Sequence, residues 1–150
     1  MKYQSKNELK NFVFKEASIV EITYQHQTLV FKLDNVTILS ANSNNRDIRD
    51  MRANDLLLTF EEAKITNFVE EGYKVYDADN NLTESVDDVV VEESQYANLF
   101  ETLAGAFLYS IEEDSNRYII NVDGEMQTYR IELECAQNRV EWDRFLNKEA

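Results

Sequence analysis

The sequence predicts a mainly β fold of the α+β class: an antiparallel sandwich or partly open barrel of about nine short strands with one amphipathic helix. Three stretches carry that expectation. Val20, Ile22 and Tyr24 alternate with polar residues, as do Leu29, Phe31 and Leu33, which is the period of a half-buried strand. A turn at Gln25–Thr28 pairs Tyr24 with Leu29, Ile22 with Phe31 and Val20 with Leu33, and a slip of one residue would expose half of these side chains. Asp123-Gly124 lies between two alternating runs, the signal of a two-residue primed hairpin turn, so Gly124 is expected at positive φ. Tyr96, Leu99, Phe100 and Leu103 follow helical spacing, with Ser94 ahead of them as an N-cap and Gly105 behind them as a stop.

The other elements follow in chain order. Ser5–Phe12 reads as a short polar lead-in, after which Phe12 and Phe14 alternate into a first strand over Ala17–Gln25. A second strand spans Thr28–Leu39, with a bulge near Asp34–Asn35 where the inward face shifts. Ala41–Asn45 is a polar loop. Leu56–Phe68 reads as one strand bulged at Glu61–Glu62, and Tyr73–Asp77 with Leu82–Val91 as a hairpin turned by Ala78–Asn81. Beyond the helix come strands at Phe107–Glu113, Arg117–Val122 and Glu125–Ala136. Val140 and Trp142 alternate in a last strand that ends near Phe145–Leu146, where a short helix competes. Strands joined by short turns pair antiparallel. No linker interrupts them, so one domain over 1–150 is expected.

Composition narrows the function classes. The chain has no proline, so its turns fall to Asn, Asp, Ser and three glycines. A single cysteine cannot form an internal disulfide, Met1–Lys10 lacks a signal peptide's apolar core, and no apolar run is long enough to span a membrane; a cytoplasmic protein is expected. The formal charge is −14, and residues 75–116 hold eleven Asp and Glu with no Lys or Arg. Such a field repels nucleic acid and anionic membrane surfaces and favours a basic partner or a cation.

Enzyme motifs are scarce. Gly72, Gly105 and Gly124 are too far apart for a phosphate-cradling loop, and His26, the only histidine, excludes a paired-histidine metal motif. His26 reads as a solvated turn residue, and Cys135, on an apolar strand face, as core. Asp77, Asp79, Asn81, Thr83, Ser85 and Asp88 fall on a calcium-loop spacing, but Leu82 stands where that loop needs Gly and Asp88 where it needs Glu. An Asx-rich hairpin turn accounts for the same residues. Arg46, Arg49 and Arg52, interleaved with Asp47 and Asp50, would share a face of a helical turn; a surface turn laced with local ion pairs is the preferred reading. No catalytic residue, metal or cofactor is assigned.

The opening Phe12-Val-Phe-Lys-Glu-Ala-Ser-Ile-Val-Glu-Ile22 and the ending Val140-Glu-Trp-Asp-Arg-Phe145 resemble patterns in small bacterial β-rich domains of unassigned function. Some of these are immunity proteins of toxin systems, which bind a toxin and block it. Lys15-Glu16 stands where many of those domains carry a His-Asp pair, so the resemblance brings no site residues with it. It implies a protein-binding role.

The function expected is therefore a non-enzymatic acidic domain that engages a basic protein, in its concrete form an immunity-type inhibitor of a basic toxin. The candidate contact residues are Glu84, Asp87, Asp88, Glu92, Glu93, Glu112, Glu113 and Asp114. The alternative is a barrel that carries a small apolar ligand. A continuous apolar cavity would favour the carrier, and a filled core with clustered exposed carboxylates the protein binder.

Overall fold

The computed structural model describes residues 1–148; the last two residues of the expected domain lie outside these. The chain opens with β1 (Tyr3–Lys6), a 3-10 turn at Leu9–Asn11, β2 (Phe12–Val13), β3 (Ser18–Gln25), β4 (Thr28–Asp34) and β5 (Val36–Ile38). Next come β6 (Met51–Ala53), β7 (Leu56–Glu61), β8 (Lys64–Glu70), β9 (Tyr73–Tyr76), β10 (Leu82–Val86) and β11 (Val89–Val90). A 3-10 turn at Glu93–Gln95 leads into the helix α1 (Tyr96–Thr102). The chain then runs through β12 (Phe107–Asp114), β13 (Arg117–Asp123), β14 (Thr128–Glu134), β15 (Gln137–Trp142) and β16 (Leu146–Asn147).

Ten strands form one antiparallel sheet in the order β1-β15-β7-β4-β3-β12-β13-β14-β8-β11. In a flat sheet β7 and β13, four positions apart, would stand about 19 Å from each other. Instead Phe60 of β7 and Tyr118 of β13 meet edge to face with ring centroids 5.2 Å apart, and Asn138 of β15 donates to the Tyr118 hydroxyl at 2.9 Å. The sheet therefore curls over on itself. Its ends, β1 and β11, do not pair with each other, so the curl stays open. A second sheet, β16-β6-β5-β2, packs on the first through Phe12 and Trp142, whose rings meet at 5.7 Å. Phe100 of α1 stacks on Phe68 of β8 at 5.4 Å, so the helix covers the inner face as the sequence predicts. The hairpin β9–β10 forms a two-stranded sheet of its own.

Several expectations change in detail. The pairs Tyr24↔Leu29 and Ile22↔Phe31 form as predicted, but a bulge between Ile19 and Glu21 pairs Ile19 with Leu33 and leaves Val20 40% exposed. Gly105 N–H donates to Ile19 O, and Ile19 N–H to Ala106 O, both at 2.8 Å; this tie to a distant segment sets the bulge. Leu56–Phe68 is two strands. Glu62 turns the chain at φ 50°, and buried Ala63 donates to Gln27 O at 2.7 Å, so β7 and β8 take different partners. The expected lead-in at Ser5–Phe12 overlaps the end of β1, whose inward Ser5 bonds to buried Asn42. Ser94 lies within a 3-10 turn and does not cap α1; Gln95 holds that position without a side-chain bond. Leu146–Asn147 is a strand, and the competing short helix is absent there.

The Asp123–Gly124 turn is longer than two residues. Asp123 pairs with Thr128, Gly124 N–H donates to Gln127 O at 2.8 Å, and Gly124 is not at positive φ. The glycine is needed for space: a Cβ there would lie 2.7 Å from Gln127 O and 3.2 Å from the Tyr129 ring. Gly105, at φ +93°, is the glycine that uses its conformational freedom. Among the described residues nine non-glycine residues also have positive φ. Asn7, Asn35, Asn80, Asp55 and Ser115 are the types a chain without proline was expected to use, and His26, Gln27 and Glu62 lie at the turn and irregularity expected at Gln25–Thr28 and Glu61–Glu62; Glu16 was not expected.

Candidate protein-binding surface

The hairpin β9–β10 stands out because every residue in both strands is exposed. Its register sets Tyr73, Val75, Glu84 and Val86 on one face and Tyr76 with Leu82 on the other. Both faces therefore show apolar side chains to solvent, and Val89 and Val90 of β11 extend the strip at 55% and 65% exposure. An alternating strand normally buries one of its faces. The tip is built by Asp77, whose Oδ1 accepts the backbone N–H of Asp79 at 2.8 Å and of Asn81 at 2.9 Å. These bonds, that from Asn81 first, hold its carboxyl below the usual aspartate range. The calcium-loop spacing is thus explained as an Asx turn. The base is tied by the Gly72 N–H, which donates to Asp88 Oδ1 at 2.7 Å.

Five of the predicted contact carboxylates lie along this arm or at its foot. Glu84 accepts the Tyr73 hydroxyl at 3.0 Å, which raises the phenol's pKa. Asp87 and Asp88 bridge β10 to β11, and Glu92 and Glu93 open the turn before α1. All five are exposed. Glu93 also lines an open groove of about 1040 Å³ with Glu21, Tyr24, His26, Tyr96 and Glu101. His26 sits in the β3–β4 turn on its rim, as a turn residue.

Glu112, Glu113 and Asp114 are elsewhere. They end β12, four strand positions from β11 in the sheet order. Through β13 and β14 their level reaches the start of β8 at Lys64–Asn67, whereas β11 pairs with its end at Val69–Glu70. Glu113 is exposed too, although it pairs with Tyr118 and its carboxylate accepts at 3.5 Å from the Asn138 amide that donates to Tyr118. Burial, with Glu113 adding to it, raises the Tyr118 pKa. The eight residues thus fall into two groups: the first adjoins the exposed apolar strip of the arm, and the second has the exposed Tyr109 beside Glu112. Tyr73, Val75, Tyr76, Leu82, Val86, Val89 and Val90 were legible as strand residues; their exposure was not, although apolar residues on both faces of so short a hairpin were the available signal.

The remaining singled-out residues are structural. Asp47 and Arg49 form a local ion pair at 3.3 Å, while Arg52 lies in β6, so the three arginines do not share a helical face. Cys135 is buried, and burial pushes its thiol up to about 11. Iodoacetamide at pH about 8.5, an ordinary thiol's midpoint, is expected to leave the native protein unmodified and to alkylate it fully in urea. Equal labelling of both would show an accessible thiolate.

Among the described residues no helix is long and apolar enough to cross a membrane. A scan against protein-family models, a search of curated proteins and a search of solved structures found no match to this chain.

Proposed function

We propose that the protein is a non-enzymatic acidic protein-binding domain, and that residues 73–93 engage a basic protein partner. The observation that carries this reading is the arm itself: exposed apolar side chains interleaved with Glu84, Asp87 and Asp88, with Lys74 as the single cation of residues 73–93 and no Lys or Arg from 75 to 116. Apolar anchors supply contact area, and surrounding charge steers encounter with a partner of opposite sign. Inhibition of a basic toxin is the concrete form proposed, resting on the resemblance of the chain's two ends to immunity-type domains. The cytoplasm, where a lone buried thiol stays reduced, is the proposed setting. The interior that an apolar-ligand carrier would leave hollow is filled by Trp142, Phe31, Phe60 and Phe68, all fully buried, which favours the protein-binding reading.

The test is association rate against salt, with a basic protein captured on the wild-type chain as the analyte. Asp87→Lys combined with Glu93→Lys is expected to slow association about tenfold at low ionic strength. The two rates should converge near 1 M salt, where the Debye length falls to about 3 Å. Glu112→Lys with Asp114→Lys should slow it less, since that pair lies apart from the arm. Equal low-salt rates for wild type and the first double variant would remove the support for this reading.

A further inference from the structure

The strands β10 and β11 follow one another along one side of the continuous run β8–β9: β10 pairs with β9 and β11 with β8. Among the described residues neither has a second partner, so Leu82–Val90 forms a free edge. Val91 N–H donates to Phe68 O at 2.8 Å, turning the backbone of Val91, and by alternation that of Val89, toward β8. The N–H and C=O of Val90 therefore point away from the sheet. Free edges in natural proteins are blunted by lysine, proline, other charges, bulges or shortness. This edge has no lysine or proline; β11 is two residues long, β10 bulges between Leu82 and Glu84, and the side chains beside it are the exposed Leu82, Val86, Val89 and Val90. Its only charges are Glu84, Asp87 and Asp88. A second copy of the chain would bring those carboxylates against their own kind, whereas a strand carrying lysine or arginine would meet opposite charge.

We infer that the β10–β11 edge accepts an extended basic segment of the partner protein by strand addition, with the Val90 backbone supplying one donor and one acceptor. This rests on the acidic-binding reading and adds its mode of recognition.

The probes are an alternating lysine–valine octapeptide and a peptide of equal charge in which proline replaces each valine. Proline removes the donors a strand needs and leaves the charge unchanged. The first peptide is expected to bind the wild-type chain at least about tenfold more tightly, and to slow hydrogen exchange at the Val90 amide. Val90→Pro should erase the difference without unfolding the chain, because the lost N–H faces solvent and proline is tolerated at such edge positions. Val90→Thr, which keeps the N–H, should retain the difference.

Equal binding of both peptides, weakened alike by Asp87→Lys with Glu93→Lys, would overturn strand addition and leave the charge reading standing. Failure of both peptides to bind at low ionic strength would overturn the two together. A wild-type dimer in sedimentation that Val90→Pro dissociates would make a second copy the occupant and overturn the basic partner.

Discussion

Trp142→Ala is expected to destabilise the protein by about 3–5 kcal/mol, the range for truncating a large buried aromatic. Trp142 is fully buried at the end of β15, where the two larger sheets meet. Its ring stacks on Tyr3 of β1 at 5.8 Å and meets Phe12 of β2 at 5.7 Å and Phe145 at 5.6 Å, both edge to face. Phe12 in turn stacks on Phe14 at 5.6 Å. Alanine would leave a cavity bounded by Tyr3 on β1, Phe12 on β2 and Phe145 in the β15–β16 connection, and rings tethered to separate segments close in only in part. The loss is a large share of the roughly 5–15 kcal/mol that holds a typical domain together.

Trp142→Phe separates packing from polarity. The buried indole N–H has no acceptor among the described residues, so phenylalanine removes an unsatisfied donor along with part of the ring. Its cost should be well under half that of alanine. Urea midpoints at unchanged m-value would give both numbers. A loss below about 1 kcal/mol for alanine would mean that the sheets do not depend on this seam.

What the sequence disclosed and what it withheld divide along the range of the interactions involved. Pairings made across a turn were legible: Tyr24 with Leu29, Ile22 with Phe31, and Val122 on the face of Tyr129. Each rests on alternation over a few neighbouring residues. Features fixed by distant segments were not. Val20 faces solvent because Ile19 is bonded to Gly105 and Ala106 after the helix. The split of Leu56–Phe68 depends on Ala63 meeting Gln27, and β1 on pairing with the distant β15. Alternation marks where strands are, not which strands they join, and so about nine predicted strands became sixteen shorter ones. At the candidate surface the charge of residues 84–93 was legible at once, since it needs only counting. That the apolar residues between those charges lack a cover is a property of the whole fold, and alternation alone made them look like core.

Gly72→Ala is expected to dislodge the arm and spare the core. Gly72 lies between β8 and β9, at the base of the arm. A Cβ there would sit 1.9 Å from Val86 O, 2.6 Å from Asp87 C and 2.7 Å from Val86 C, all backbone atoms that no rotamer change can move aside. The glycine serves close approach of two chain segments, since its φ is not positive. Gly105→Ala is the contrasting case: φ is +93° but no atom lies within 4 Å, so its cost is conformational, about 1–3 kcal/mol, and carries no displacement.

At Gly72 the strain must be relieved by movement, and the arm is the part free to move. The strands β9 and β10 pair only with each other, whereas β8 is clamped between β14 and β11. The Tyr73↔Val86 pair and the Gly72–Asp88 bond should therefore break first. The overall loss should be about 1–3 kcal/mol, as for other overpacked sites. Amide exchange in residues 73–86 should quicken by more than about tenfold while β3, β4 and β13 keep their protection. Binding to a basic partner should fall with it, although every carboxylate is still present. Gly105→Ala should leave both exchange in the arm and binding unchanged. Unchanged arm exchange in Gly72→Ala would show that the base is looser than the backbone contacts imply. Lost arm protection with full binding would show that the carboxylates recognise a partner without the framework that displays them.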